Sequence, residues 1–141
     1  MAFTGNFFCN TAKAGFLTGT YLPLSDTMKI ALYDNTATLT AATIIYTTSG
    51  ELPATGGYTT GGNTLTSPSI GTSTTTSWLT FDSPSWASAT FTAYGALIYD
   101  LTRSSAAICV LDFGGAKTVA SSTFTIQMPA AGASTALIRI A

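Results

Sequence analysis

A chain of 141 residues with five basic side chains, six acidic ones, a net charge of -1 and no histidine fits one domain, whose folding covers roughly two-thirds of the unfolded chain's surface. That balance excludes the electrostatic footprint of a nucleic-acid binder and the polybasic patch of a membrane-surface protein. The missing histidine removes the commonest general base, the commonest neutral metal ligand and every Ser-His or Cys-His nucleophile pair.

The N-terminal stretch carries Phe3, Phe7 and Phe8 ahead of the first basic residue, Lys13. It has no continuous apolar segment and does not read as a secretion signal. Its rings have two open roles, packing on the chain's own core or presenting aromatic surface to a partner. Asn10 to Thr18 is expected to form a short helix, capped by Asn10 or Thr11, apolar at Phe16 and Leu17 and ended by Gly19. Gly15 inside it costs about 1 kcal/mol relative to alanine.

From Met28 the pattern turns to period two, with Met28, Ile30 and Leu32 on one face and Lys29, Ala31 and Tyr33 on the other. Asp34-Asn35 supplies turn chemistry, and Ile44 to Tyr46 is expected as a short strand. Gly50 to Gly62 contains Pro53, Gly56-Gly57 and Gly61-Gly62 and reads as an ordered contact loop. Strand signals follow at Asn63 to Ile70, with Pro68 marking an edge or bulge, and at Trp78 to Phe81, the two joined as a hairpin.

Thr90 to Tyr99 is the clearest strand, and the apolar character of both faces of its second half makes it central. Asp100 to Ser105 turns the chain into Ala107 to Phe113, which Gly114-Gly115 is expected to end. Further strands are expected around Phe124, Ile126 and Met128 and at Leu137 to Ile140. About eight short strands at spacings of roughly 8 to 15 residues, with no long helical pattern, point to an all-β antiparallel sandwich or barrel-like domain with a short N-terminal helix. Residues 1–25 are the expected arm and helix, and residues 26–141 a single β-sandwich domain.

Charged residues are 8% of the chain where about a quarter is usual, so polar surface has to come from Thr and Ser hydroxyls. Such a surface repels its neighbours weakly and favours residence in an assembly. Hydrophobic content is 46% and mean hydropathy +0.37, yet Gly, Pro or Thr interrupts each apolar stretch short of the roughly 20 residues that a membrane-crossing helix needs. A soluble protein is expected. Cys9 and Cys109 are expected to be free buried thiols, though their spacing alone leaves pairing open.

The residues that carry chemistry elsewhere have structural readings here. Asp26, Asp34, Glu51, Asp82, Asp100 and Asp112 mostly neighbour turn residues, where short acids bond backbone amides. No motif ties two of them into a glycosidase pair. Gly56 to Gly62 lacks the Gly-Lys-Ser/Thr ending of a phosphate loop. Asp112-Phe113-Gly114-Gly115 lacks the alternating acids of a calcium loop and reads as a hairpin bend. Trp78 and Trp86 either stack on sugars or seal the end of the core. No catalytic residue, metal or cofactor is expected.

Several segments carry a resemblance: Cys9-Asn10 before the helix, Lys29-Ile30-Ala31-Leu32-Tyr33, Gly57-Tyr58-Thr59-Thr60-Gly61-Gly62, Gly95-Ala96-Leu97-Ile98-Tyr99, Val110-Leu111-Asp112-Phe113-Gly114-Gly115 and Ile138-Arg139-Ile140. Nearly end to end, the chain resembles a widespread family of small virion structural proteins of tailed phages. It departs from that family in a shorter, less leucine-rich first helix and in Tyr94, where a basic residue is common. The resemblance implies a non-enzymatic capsid cement, or decoration, protein on the virion surface, assembled in the host cytoplasm. Its implied partners are the major capsid protein and further copies of itself, as trimers or dimers that follow the capsid axes, with no nucleic acid, membrane or small-molecule substrate. Candidate interface residues are Phe3, Phe7, Phe8, Leu52 and Tyr58. The alternatives are a tail, neck or fibre-associated module and a glycan-binding host-recognition module built on Trp78, Trp86 or nearby tyrosines.

Overall fold

The computed structural model describes residues 3–141. In chain order its elements are β1 (Phe7–Phe8), α1 (Asn10–Leu17), β2 (Met28–Tyr33), β3 (Asn63–Thr64), β4 (Ser69–Ser73), β5 (Thr76–Thr80), β6 (Ser85–Asp100), β7 (Ala106–Thr125) and β8 (Ile138–Ile140). Five strands form one sheet in the order β1-β7-β6-β2-β3, and three form a second in the order β4-β5-β8, with antiparallel pairing throughout. The described residues are therefore all-β, with two antiparallel sheets in a sandwich-like arrangement and a single short helix.

The apolar second half of β6 sits where its two buried faces require. Ala96 to Asp100 are all buried, held between β2, in a register running from Met28↔Asp100 to Tyr33↔Gly95, and β7, with Leu97↔Val110 and Ile98↔Cys109. Ile30, Leu32, Leu97, Ile98, Ile108 and Val110 form the centre of the core. A glycine inside a strand weakens it unless something approaches closely. At Gly95 the ring of Phe3 lies 2.3 Å from where a Cβ would stand, so the missing side chain makes room for an aromatic one. Burying such a ring stabilises the fold by about 1.5–3 kcal/mol.

The N-terminal segment is consequently stitched into the sheet, although residues 1 and 2 lie outside the described part. β1 pairs with β7 through Phe7↔Val110 and Phe8↔Cys109, and Ala12 on α1 is fully buried. α1 covers the expected stretch, but its N-cap is Cys9 and no side chain caps it; neither Asn10 nor Thr11 plays that role, because both are already inside the helical turn or at its first residue. Ile44 to Tyr46 makes only the isolated bridge Ile45↔Ala106, with Ala107 N donating to Ile44 O and Tyr46 N to Ser105 O. That segment covers the edge of β7 where β1 ends, without becoming a strand.

Three boundaries differ from the sequence pattern for identifiable reasons. Asn63 to Ile70 is split: β3 pairs with β2, and the chain then crosses to the second sheet through Ser67, at φ 51, and Pro68, whose lack of an N–H suits a crossing. β7 runs through Gly114-Gly115 instead of ending there. Between the pairs Ala93↔Lys117 and Gly95↔Asp112 the ladder bulges, both glycines have positive φ, and Gly114 N donates to Asp112 Oδ1 at 2.8 Å. Pairing resumes beyond the bulge because Trp86, Phe91, Phe113 and Phe124 form a ring cluster with centroids 5.1–6.3 Å apart. The expected strand around Phe124, Ile126 and Met128 is thus the end of β7, which stops at Thr125.

Candidate functional site

The glycine-rich loop begins alongside β2, with Asp34 N donating to Gly50 O and Leu52 N to Leu32 O. At its centre Glu51 accepts three hydrogen bonds: from Tyr46 OH to Oε2 at 2.5 Å, and from Tyr58 OH and Gly61 N to Oε1 at 2.7 and 2.6 Å. Tyr58 OH in turn accepts from Leu32 N at 3.0 Å. Tyr99 OH donates to Gly61 O at 2.7 Å and Tyr33 OH to Thr47 O at 2.6 Å, while Tyr46 and Tyr99 stack with centroids 4.6 Å apart. Gly62, at φ 72, closes the loop against β2, where a Cβ would sit 1.8 Å from Ile30 O; only glycine fits there.

Burial is the main cause that raises the pKa values of Tyr33, Tyr46, Tyr58 and Tyr99 above the ordinary phenol value, Tyr99 to about 12. For Tyr46 and Tyr58 the hydrogen bond to Glu51 adds to that. Protonated hydroxyls are donors and not bases, so the cluster acts as a clamp on the loop. Leu52 and Tyr58 point inward at 5% and 3% exposure, and Tyr58 packs against Trp86 and Phe91. Neither can be offered to a partner in this fold. What the loop displays is its rim, Pro53 to Gly57 and Thr59-Thr60, all exposed.

Phe3 is likewise core and unavailable for contact, while Phe7 and Phe8 are half-buried, with Phe8 edge-on to Phe16 and Phe16 edge-on to Tyr21. Of the five residues expected at an interface, Phe3, Leu52 and Tyr58 are therefore taken up by internal packing. Trp86 is buried at 3% exposure, which removes it as a sugar-stacking platform; Trp78 is half-buried and lies over Gly71. Cys9 and Cys109 are free and buried, and burial pushes both thiols upward, Cys9 to about 11, which makes them poor nucleophiles.

A second polar cluster ties the start of β2 to the β6–β7 hairpin tip. Asp26 Oδ2 accepts from Arg103 Nε and from Leu22 N, each at 2.9 Å, and Asp100 Oδ1 accepts from Arg103 N at 3.1 Å. Asp100 has no exposed surface, and its Oδ2 has no protein donor. A buried carboxyl near a second acid favours its protonated form. Burial, and then the neighbouring Asp26 carboxyl, raise Asp100 to about 6, while the Arg103 hydrogen bond holds Asp26 below its usual range. Among the described residues no three His, Cys, Asp or Glu side chains gather as a metal site.

The remaining feature is an apolar groove of about 380 Å³ between the segment after α1 and the second sheet. Phe16, Tyr21, Leu22, Pro23 and Leu24 form one wall and Ile70, Trp78, Leu79, Ile138 and Ile140 the other, with no charged residue in the lining. Leu17, Leu22, Leu24, Ile70 and Ile140 are all exposed, as are Ile44, Ile45 and Leu101 at and beside the hairpin tip. Sequence reasoning singled out none of these as surface. The available signal was the run Tyr21-Leu22-Pro23-Leu24, apolar at successive positions with neither strand nor helix periodicity. No family model, curated protein or solved structure matches this chain.

Proposed function

We propose that the protein is a non-enzymatic structural component of a tailed-phage particle, a cement protein that binds the assembled major-capsid lattice and raises the cost of separating its subunits. The observation that carries this reading is a charge-poor, hydroxyl-rich surface broken by two sets of exposed aliphatic side chains. Leu17, Leu22, Leu24, Ile70 and Ile140 surround the groove; Ile44, Ile45 and Leu101 lie at the hairpin tip. Apolar surface left open in a folded chain marks contact sites, and two separate sets let one molecule bridge two neighbours. The chain-long sequence resemblance to small virion proteins points the same way. The acidic side chains serve as clamps: Glu51 holds a loop, and Asp26 and Asp100 hold the hairpin tip through Arg103.

Adhesion of this kind rests on apolar burial, which salt does not screen. Adding purified protein to undecorated capsid shells is expected to give saturable binding that persists in about 1 M salt and to raise the temperature at which the shells rupture. Unchanged occupancy together with an unchanged rupture temperature would refute the proposal.

A further inference from the structure

The turn between β6 and β7, residues 101–105, is held chiefly by polar contacts. None of its side chains is buried: Leu101, Thr102 and Ser104 are exposed, and Arg103 and Ser105 are half-buried. Its backbone is strained, because Ser104 and Ser105 stand at φ 56 and 57, a left-handed conformation that residues with a Cβ seldom adopt, and then singly. Four hydrogen bonds fasten the turn to Asp100 and to the residues before β2. Leu101 N donates to Thr27 O at 2.9 Å, Thr27 N to Thr102 Oγ1 at 2.8 Å, Arg103 Nε to Asp26 Oδ2 at 2.9 Å and Arg103 N to Asp100 Oδ1 at 3.1 Å.

Asp100, from which the turn departs, has no exposed surface, and its Oδ2 has no donor. Among the described residues two charged groups face it, Asp26 from the segment before β2 and Arg103 from the turn itself. Opposite it in the two ladders stand Met28 and Ala106, which carry no charge. A protonated Asp100 is neutral and tolerates this dry place. An ionised one puts a charge on an oxygen without a donor, beside a second carboxylate, and such a charge is stable only with water or new donors around it. The turn is the cover that moves most easily. Its flanking residues Tyr99 and Ala107 are buried, and the segment beside it is tied down where Tyr46 OH donates to Glu51.

We infer that residues 101–105 form a proton-operated latch, closed over a neutral Asp100 and lifted away from the start of β2 when that carboxyl ionises and takes up water. The two sheets stay folded as the turn opens. The apolar set that Leu101 makes with Ile44 and Ile45 is assembled only in the closed form, so the proton on Asp100 governs that surface. The latch is a property of the free chain and stands apart from the particle reading.

Amide hydrogen exchange of the full chain, followed by NMR from pH 5 to pH 8 and corrected for the intrinsic pH dependence of exchange, tests the latch. The reporters are the amides of Leu101 and Thr27, with Ile98 in the central ladder as the reference. A carboxyl raised to about 6 that returns to about 4 on opening increases the opening constant about tenfold over this range. Protection of Leu101 and Thr27 is therefore expected to fall about tenfold as pH rises, and to stay well below that of Ile98 throughout. In Asp100→Asn, whose fold circular dichroism verifies, the fall is expected to vanish. Protection at the turn that is flat with pH in wild type, or that falls equally in the variant, overturns the inference. Protection equal to that of Ile98 overturns it in favour of whole-sheet unfolding. If the variant does not fold, the carboxyl-carbon shift of Asp100 in wild type replaces it, and a titration midpoint that does not coincide with the loss of protection overturns the latch.

Discussion

Asp100 is a buried acid at the end of a central strand, and its environment makes a specific demand on pH. Its folded-state value is raised to about 6, burial first and the Asp26 carboxyl second, whereas Asp26 is held low by Arg103. A raised carboxyl contributes stability that is complete below the unfolded value of about 4 and is lost as pH rises through 6. A lowered one contributes stability that is present above about 4 and is lost as pH falls. The pair alone therefore places maximum stability near pH 4, with Asp100 protonated and Asp26 ionised against Arg103. Melting temperatures of wild type are expected to fall between pH 4 and pH 6, and Asp100→Asn, which removes the titrating carboxyl, is expected to flatten that slope. An identical pH profile in the variant would count against a raised Asp100 carboxyl.

The sequence marked Asp100 only as an acid beside a turn. Its partner lies 74 positions earlier in the chain, and nothing in local spacing brings the two together; the register of β2 against β6, with Met28 opposite Asp100, does so. Gly95 and Phe3 repeat the lesson. The strand and its apolar faces were legible from alternation, but the ring that occupies the glycine's missing side chain comes from a segment with no periodicity at all.

Among the elements, the loop between β2 and β3 shows how a glycine-rich stretch can be rigid. Its turns are permitted by glycine, but its position is set by Glu51, which gathers Tyr46, Tyr58 and the amide of Gly61. Hydrogen bonds to a charged group contribute about 1.5–3 kcal/mol each, with little additivity within a network. Glu51→Ala strands several donors and is expected to destabilise the protein by about 3 kcal/mol, lowering the melting temperature by roughly 10 °C. Glu51→Gln keeps an acceptor oxygen and is expected to lose about half as much. Urea denaturation of the two variants is the measurement, and equal stability with wild type would show that the loop is held by packing alone.

Sequence reasoning recognised this loop as ordered and named Leu52 and Tyr58 within it, yet assigned them to the surface. The reason is physical: in a chain poor in charge, an apolar residue in a polar loop reads the same whether it anchors the loop or adorns it. β7 gave the opposite error. Gly114-Gly115 has the composition of a turn, but the aromatic cluster of Trp86, Phe91 and Phe124 on the far side holds the two strands together across a bulge. Long-range ring packing overrode a local stop signal.

At the scale of the whole molecule, two sheets close over one core and leave apolar side chains open in two places, at the groove and at the hairpin tip. Composition implied a charge-poor surface, and alternation foretold the all-β architecture. The position of the exposed apolar side chains was hidden, because it depends on where the second sheet outruns the core. A cement protein needs one contact per lattice neighbour and many copies per particle, and both sets of exposed side chains fit that need.

The most direct measurement is the number of copies of this chain in purified mature particles, counted by quantitative mass spectrometry against the major capsid protein. Decoration of the lattice predicts a count that scales with the capsid subunits. A count like that of a tail or neck part, or no copies in the particle at all, would contradict the account.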